Sequence, residues 1–292
     1  MRSNVTQFDL TAPPTLDAVL AALSSDPGKH TVLAGGTELM VALNTGRLTQ
    51  HSLLSIHHLR ELRFIGVDDD DAIHIGSGST FTDIRRSKAI AADLPLMAQS
   101  ASWTGSVANQ NRGTLGGNIC NASPAADTPP ALLAYGATLT LVSAAGTRTI
   151  PYADFHLGYK KTALRPDELL HTITVPRDFS GYRQYIRKVG TRNAQAISKI
   201  ALAAVAKLDG DIISDIRLGA ASLTDRPVRC SAAEAALLNQ RIDAANIDAT
   251  VRAGRAALAT EAHPIDDIRS TAKYRAAVAG NLLEEFLRSF SA

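Results

Sequence analysis

TLGGNICNASPAAD, residues 114 to 127, crowds Thr114, Gly116, Gly117, Asn118, Asn121 and Ser123 into ten positions. Adjacent glycines let a main chain approach a ligand without Cβ interference, while Thr, Asn and Ser offer hydroxyl and amide contacts. The stretch runs into a helix start. Asp127 or Thr128 serves as cap, Pro129 or Pro130 suits the first turn, Ala131, Leu132, Leu133 and Ala134 follow, and Gly136 closes the helix. Unpaired N–H groups at such an end face the glycines and favour phosphate through their donors and the helix dipole. Taken alone, the stretch reads equally well as a loop that only turns the chain.

A second stretch of this kind changes the balance. Thr31 to Ala34 read as a short buried strand that runs straight into Gly35-Gly36-Thr37-Glu38. Leu39, Met40, Ala42 and Leu43 then give a short helix. Neither turn is a Walker loop, since GxxxxGK[ST] is missing, and Gly76-Ser77-Gly78 leads to Phe81 rather than completing GxGxxG. What is left is a pair of Gly-Gly turns, distant in sequence, that can converge on one long phosphorylated ligand such as a dinucleotide cofactor.

The chain of 292 residues is long enough for two domains. A net charge of +2 provides no basic field for nucleic acid. Cys120 and Cys230 are the two cysteines, too few to ligate an iron–sulfur cluster. No apolar run has the length of a membrane span and the first residues lack an apolar signal core, so the expected setting is the cytoplasm.

A helix is expected after Thr15, where Leu16, Val19, Leu20 and Leu23 recur at helical spacing. Residues 53–56 read as a strand, and 64–67 with 73–75 read as a hairpin across the solvated acidic run 68–71. Helices are expected over 82–92 and 96–103, then a hairpin of 137–142 with 147–150. The loop GYKKTALRPDE, residues 158–168, precedes a strand from Leu169. After Pro176 two apolar runs, 198–208 and 212–221, flank Asp209-Gly210-Asp211 as a hairpin, and from Ala232 the chain is Ala-rich and helical.

Four motifs then carry a resemblance: VLAGGTELM (32–40), RGTLGGNICNASPAAD (112–127), GYKKTALRPDE (158–168) and RKVGTRNAQAISK (187–199). In this order they are similar to the FAD-binding medium subunit of the molybdenum hydroxylases, the superfamily of xanthine dehydrogenase, aldehyde oxidase and carbon monoxide dehydrogenase. The resemblance implies an α+β fold. A two-part FAD-binding domain of the vanillyl-alcohol-oxidase type would span 1–176, with subdomains about 1–56 and 57–176. A smaller C-terminal α+β domain of antiparallel sheet plus helices would span 177–292. It also implies non-covalent FAD, with the main chain of Val32, Leu33, Ala34, Gly35, Gly36, Thr37, Glu38 and Leu39 around the pyrophosphate. Thr114, Gly116, Gly117, Asn118 and Asp127 would form the second FAD-contacting segment, with Lys161 near the flavin. Lys188 and Arg192 have a similar but weaker case. Implied partners are a small subunit carrying two [2Fe–2S] clusters and a large molybdopterin subunit, with NAD, a quinone, a carrier or O₂ as final acceptor.

No catalytic constellation is recognisable in the chain itself, so the chemistry is expected to be the cofactor's. Cys120 is expected to pack inside the FAD turn as a small residue. His51, His57 and His58 are spaced too irregularly for one metal-binding face.

Overall fold

The computed structural model describes residues 5–68 and 71–290, so Asp69 and Asp70 of the acidic run lie outside the described residues. The chain opens with β1 (Asp9–Thr11), α1 (Leu16–Ser25), β2 (Thr31–Leu33), α2 (Leu39–Asn44) and β3 (Ser52–Ser55). These strands form a parallel three-stranded sheet in the order β1-β3-β2. Thr15 caps α1, accepting a hydrogen bond from the Ala18 N–H at 3.2 Å. The apolar stripe Val19, Leu20 and Leu23 packs on Leu54, Ile56, Leu59 and Leu62 as a small core of its own.

The middle of the chain builds β4 (Ile65–Val67), β5 (Ala72–Gly76), α3 (Phe81–Arg86), α4 (Lys88–Asp93), α5 (Pro95–Trp103), α6 (Val107–Gln110), α7 (Leu115–Cys120) and α8 (Pro129–Ala134). β6 (Thr138–Ser143), β7 (Gly146–Pro151), β8 (His156–Gly158), β9 (Lys161–Thr162) and β10 (Leu169–Pro176) follow. An antiparallel sheet of five strands, β4-β5-β10-β6-β7, supports the helices, while β8 and β9 pair only with each other. The span 82–92 is two helices rather than one. Ser87 takes an extended conformation (φ −70°, ψ 120°) and its hydroxyl accepts from the Ile90 N–H, ending α3 and capping α4.

The last part holds β11 (Arg183–Val189), β12 (Ile200–Asp209), β13 (Ile212–Ala221) and β14 (Val228–Arg229), an antiparallel sheet in that order, with α9 (Ser231–Leu237), α10 (Ile247–Glu261) and α11 (Ala272–Arg288). β11 lies at the sheet edge, and its Arg183, Gln184, Arg187 and Lys188 break the apolar alternation by which a strand is read from sequence. Among the described residues no helix is long and apolar enough to cross a membrane.

β12 is buried on both faces. Ile200, Leu202, Ala204 and Ala206 enter the core under α9–α11, while Ala203 and Val205 enter the core that contains α8. Small residues let α8 lie close to this sheet. A Cβ on Gly219 of β13 would fall 2.2 Å from the Pro130 carbonyl oxygen and 2.9 Å from the Leu133 Cβ. Gly219→Ala therefore forces α8 off the sheet, and it is expected to cost on the order of 2–3 kcal/mol. A melting curve should show a drop of at least about 5 °C, and an unchanged midpoint would contradict this packing.

Candidate functional site

The first glycine turn is the open one. Between β2 and α2, the N–H groups of Gly35, Gly36, Thr37 and Glu38 donate to no protein acceptor among the described residues, and Gly36 sits at φ +78°. Val32, Leu33 and Ala34, although apolar, remain only partly buried, so one side of the strand end and turn is uncovered. Successive free amides around a left-handed glycine make a concave donor site for an anion.

The second glycine motif is packed directly beside it. A Cβ on Gly35 would lie 1.8 Å from the Arg112 carbonyl oxygen and 3.0 Å from the Gly113 Cα. Only glycine allows that approach, which brings the two motifs into contact across 77 residues of sequence (112 − 35). Here the structure departs from the glycine-loop reading: residues 115–120 are helical. Thr114 caps α7 by accepting from the Gly117 N–H at 3.0 Å, Leu115 N–H donates to Ser79 O and Gly116 N–H to Ser77 O, each at 2.9 Å. The first amides of α7 are thus already used. Those of α8 do not replace them, since Pro129 and Pro130 have no N–H and the helix is buried throughout.

Each residue of the second motif therefore has a different part. Thr114 holds the helix start, and Gly116 admits Ser77, whose Cβ would stand 2.6 Å from a Cβ at that position. Gly117 and Cys120 stand three residues apart on the uncovered face of α7, while Leu115, Gly116 and Ile119 point inward. Cys120 is exposed as a residue on that face, while its thiol, beside the buried Tyr152, is desolvated and its pKa pushed up to about 12. Asn118 accepts from the Thr128 hydroxyl at 2.6 Å, which ties α7 to the start of α8.

Asp127 stands on the loop between α7 and α8. Its carboxylate accepts from Lys188 Nζ at 2.6 Å and from the Ser198 hydroxyl at 2.8 Å. Burial raises its pKa, and the Lys188 charge and the two hydrogen bonds restrain that rise without cancelling it. Lys161 is exposed at the start of β9. Its neighbour Lys160 reaches the motif instead, donating to the Asn121 carbonyl at 2.9 Å and to Asn121 Oδ1 at 2.8 Å. Partial burial lowers the Lys160 pKa, against the opposing pull of Glu38 and with a smaller push from Arg47. Arg192 braces its own loop through the Ala194 and Gln195 carbonyls.

Sequence reading missed Lys160, Ser198 and Ser222. A Lys-Lys pair gives no sign of which member points inward, and the two serines lie at strand ends outside the glycine motifs. Backbone conformation is the better guide. Among the described residues six non-glycine residues have positive φ, and four of them, Ala122, Lys160, Gln195 and Ser222, lie on loops that belong to or contact the second motif or the RKVGTRNAQAISK segment. Left-handed conformations at such residues cost about 1 kcal/mol or more each and concentrate where function fixes the chain.

Free amides beside an uncovered helix face define a binder of an elongated, phosphorylated cofactor. The family described as the FAD binding domain in molybdopterin dehydrogenase matches residues 6–178, and the CO dehydrogenase flavoprotein C-terminal domain matches residues 185–290. The chain is 32% identical over 238 residues to a xanthine dehydrogenase FAD-binding subunit of Escherichia coli, covering 80% of each. It is 32% identical over 244 residues to the glyceraldehyde dehydrogenase medium chain of Sulfolobus acidocaldarius, covering 83% of this chain and 84% of that one. A chain of the carbon monoxide dehydrogenase from Hydrogenophaga pseudoflava superposes with a TM-score of 0.91 at 28% identity, over 98% of this chain and 96% of that one. The chain belongs to the FAD-binding medium subunits of the molybdenum hydroxylases, and is the flavoprotein component of an oxidoreductase.

His156, on the β8–β9 hairpin that carries Lys160, is 5% exposed, and its Nε2 meets the Tyr152 hydroxyl at 2.8 Å. Burial first, then the Arg226 charge, pushes its pKa from 6.5 down to about 4. The unfolded chain takes up this proton near pH 6.5 and the fold refuses it until about pH 4, so stability is lost as pH falls through that window. The loss reaches at most about 3 kcal/mol. Denaturant midpoints at pH 7.5 and 5 should therefore converge in His156→Gln, and a separation equal to that of the wild type would show that another group governs the acid limb.

Proposed function

We propose that this chain is the FAD-carrying electron-transfer subunit of a three-subunit dehydrogenase. It takes electrons from [2Fe–2S] clusters on a small partner subunit and delivers them to NAD, a quinone, a carrier or O₂. Substrate oxidation then occurs on a separate molybdopterin subunit. The free amides of Gly35 to Glu38 carry this reading, because they match the anionic diphosphate of FAD in a chain of this family. Bound FAD supplies the redox chemistry, accepting and releasing the electrons.

The chain's own residues hold and polarise. The main chain of Val32 to Leu39 cradles the diphosphate, and Thr114 with Gly116 sets α7 so that Gly117 and Asn118 lie along the cofactor. Asp127 is assigned to a hydroxyl or ribityl contact, with Lys188 beside it as the neutralising cation. Lys160, directed at Asn121 and beside Glu38 of the first turn, is better placed than Lys161 to meet the cofactor, as a cation toward the diphosphate. Both cysteines are unpaired, which suits the reducing cytoplasm.

The purified chain should show the two visible absorption bands of bound flavin, either as isolated or after addition of FAD. A chain that stays colourless and shows no binding would sink the assignment. Gly117→Val tests the position, since a Cβ there meets only the Thr114 hydroxyl, at 2.9 Å, and leaves the core untouched. It should weaken FAD by about tenfold or more while the fold persists.

A further inference from the structure

Two consecutive residues, Ser198 and Lys199, are held from four directions. The Lys199 N–H donates to the Val189 carbonyl at 2.8 Å, fixing it beside Lys188 on β11. Its own carbonyl accepts from Arg275 Nη1 at 2.7 Å. The Ser198 carbonyl accepts from the Ser222 hydroxyl at 3.0 Å, and the Ser198 hydroxyl donates to Asp127 at 2.8 Å.

Both outer members of this arrangement come at a cost. Arg275 on α11 is 2% exposed; its Nη2 donates to Asp267 at 2.8 Å, but its Nε is buried without an acceptor. A buried guanidinium is expensive unless paired, and replacing it with an apolar residue is commonly neutral or favourable where only stability matters. Ser222, at the end of β13, stands at φ +63°, a conformation suited to glycine. Its N–H donates to the Pro124 carbonyl at 2.7 Å, so this one strained residue joins the loop that leads to Asp127 with the segment that grips Asp127.

We propose that Arg275 and Ser222 are positioning residues of the flavin site: by clamping Ser198–Lys199 they make the Ser198 hydroxyl and the Lys188 ammonium meet the Asp127 carboxylate in one fixed geometry. The inference rests on the reading of Asp127 and Lys188 as flavin-site groups. It also gives the C-terminal region a function in cofactor binding, carried from α11 and β13 through backbone carbonyls.

Ser222→Gly is the discriminating variant, because it removes the clamping hydroxyl while relieving the left-handed strain. The full chain is titrated with FAD by flavin fluorescence, its bound-flavin absorption spectrum is recorded, and the apo protein is melted in parallel. Ser222→Gly should keep or raise the apo melting temperature and yet bind FAD about 2- to 10-fold more weakly, the loss of one buried hydrogen bond. Arg275→Met should weaken FAD by about tenfold, with its flavin bands displaced toward those of Asp127→Asn, and Arg275→Lys should recover part of both. If wild type binds FAD while Ser222→Gly and Arg275→Met bind it equally well with unchanged spectra, the clamp is overturned and the site assignment stands. If all weakening follows the loss of apo stability, with Ser222→Gly indistinguishable from wild type, the residues are structural only and the inference is overturned. Failure of wild type to bind FAD removes the site assignment itself, and the clamp with it.

Discussion

The site exists because Gly35 lies against the Arg112 carbonyl. With a Cβ 1.8 Å from that oxygen ruled out, glycine is required for the parallel sheet of the first fifty-odd residues to touch the entry to α7. This contact decides where the free amides of Gly35 to Glu38 stand relative to the uncovered face of α7. Moving either backbone by a fraction of an ångström separates the donors from the helix face they flank. The remaining architecture holds those two backbones still. Ser77 and Ser79 accept the first amides of α7, and β10 ties Ser77 in turn, through the His171 carbonyl.

β12 joins the C-terminal sheet to the core that contains α8. Because its alternate residues enter two cores, the sheet cannot move away from α8 without opening both. Burial here also explains the local chemistry. The segment that delivers Ser198 leads into this strand, and the ammonium of Lys188 is held by the Asp127 carboxylate and the Trp103 carbonyl. A buried ion pair is poor as a source of stability, since desolvation offsets its attraction. On the proposed reading of the site, its role is to shape the field beside the cofactor.

Much of the fold was legible because its signals are local. Thr15 with the Leu16 stripe, the strand and short helix on either side of Gly35-Gly36, and Asp209-Gly210-Asp211 each combine propensity with periodicity, and the elements formed where those coincide. The site was legible as a pair of motifs but not as a division of labour. TLGGNIC reads as a loop because two glycines disfavour a helix; tertiary contacts with Ser77 and the Thr114 cap override that preference. β11 escaped notice because an edge strand tolerates charges that blur its alternation. The choice of Lys160 over Lys161 depends on a left-handed φ of +56° at Lys160, which no composition reveals.

On the proposed reading, the two ends of the site differ in charge, and that difference locates the cofactor's diphosphate. At the first glycine turn four free amides, with Lys160 and Arg47 nearby, stand against the carboxylate of Glu38. At the far end Asp127 and Lys188 neutralise each other. A diphosphate gains at the turn, where the free amides can donate to it. Sliding it to the pair would bring two phosphate charges to Asp127, whose carboxylate already bears a desolvation cost, and would leave the free amides without an anion. Glycine supplies the space for the ligand, and this uneven distribution of charge supplies the position of its diphosphate.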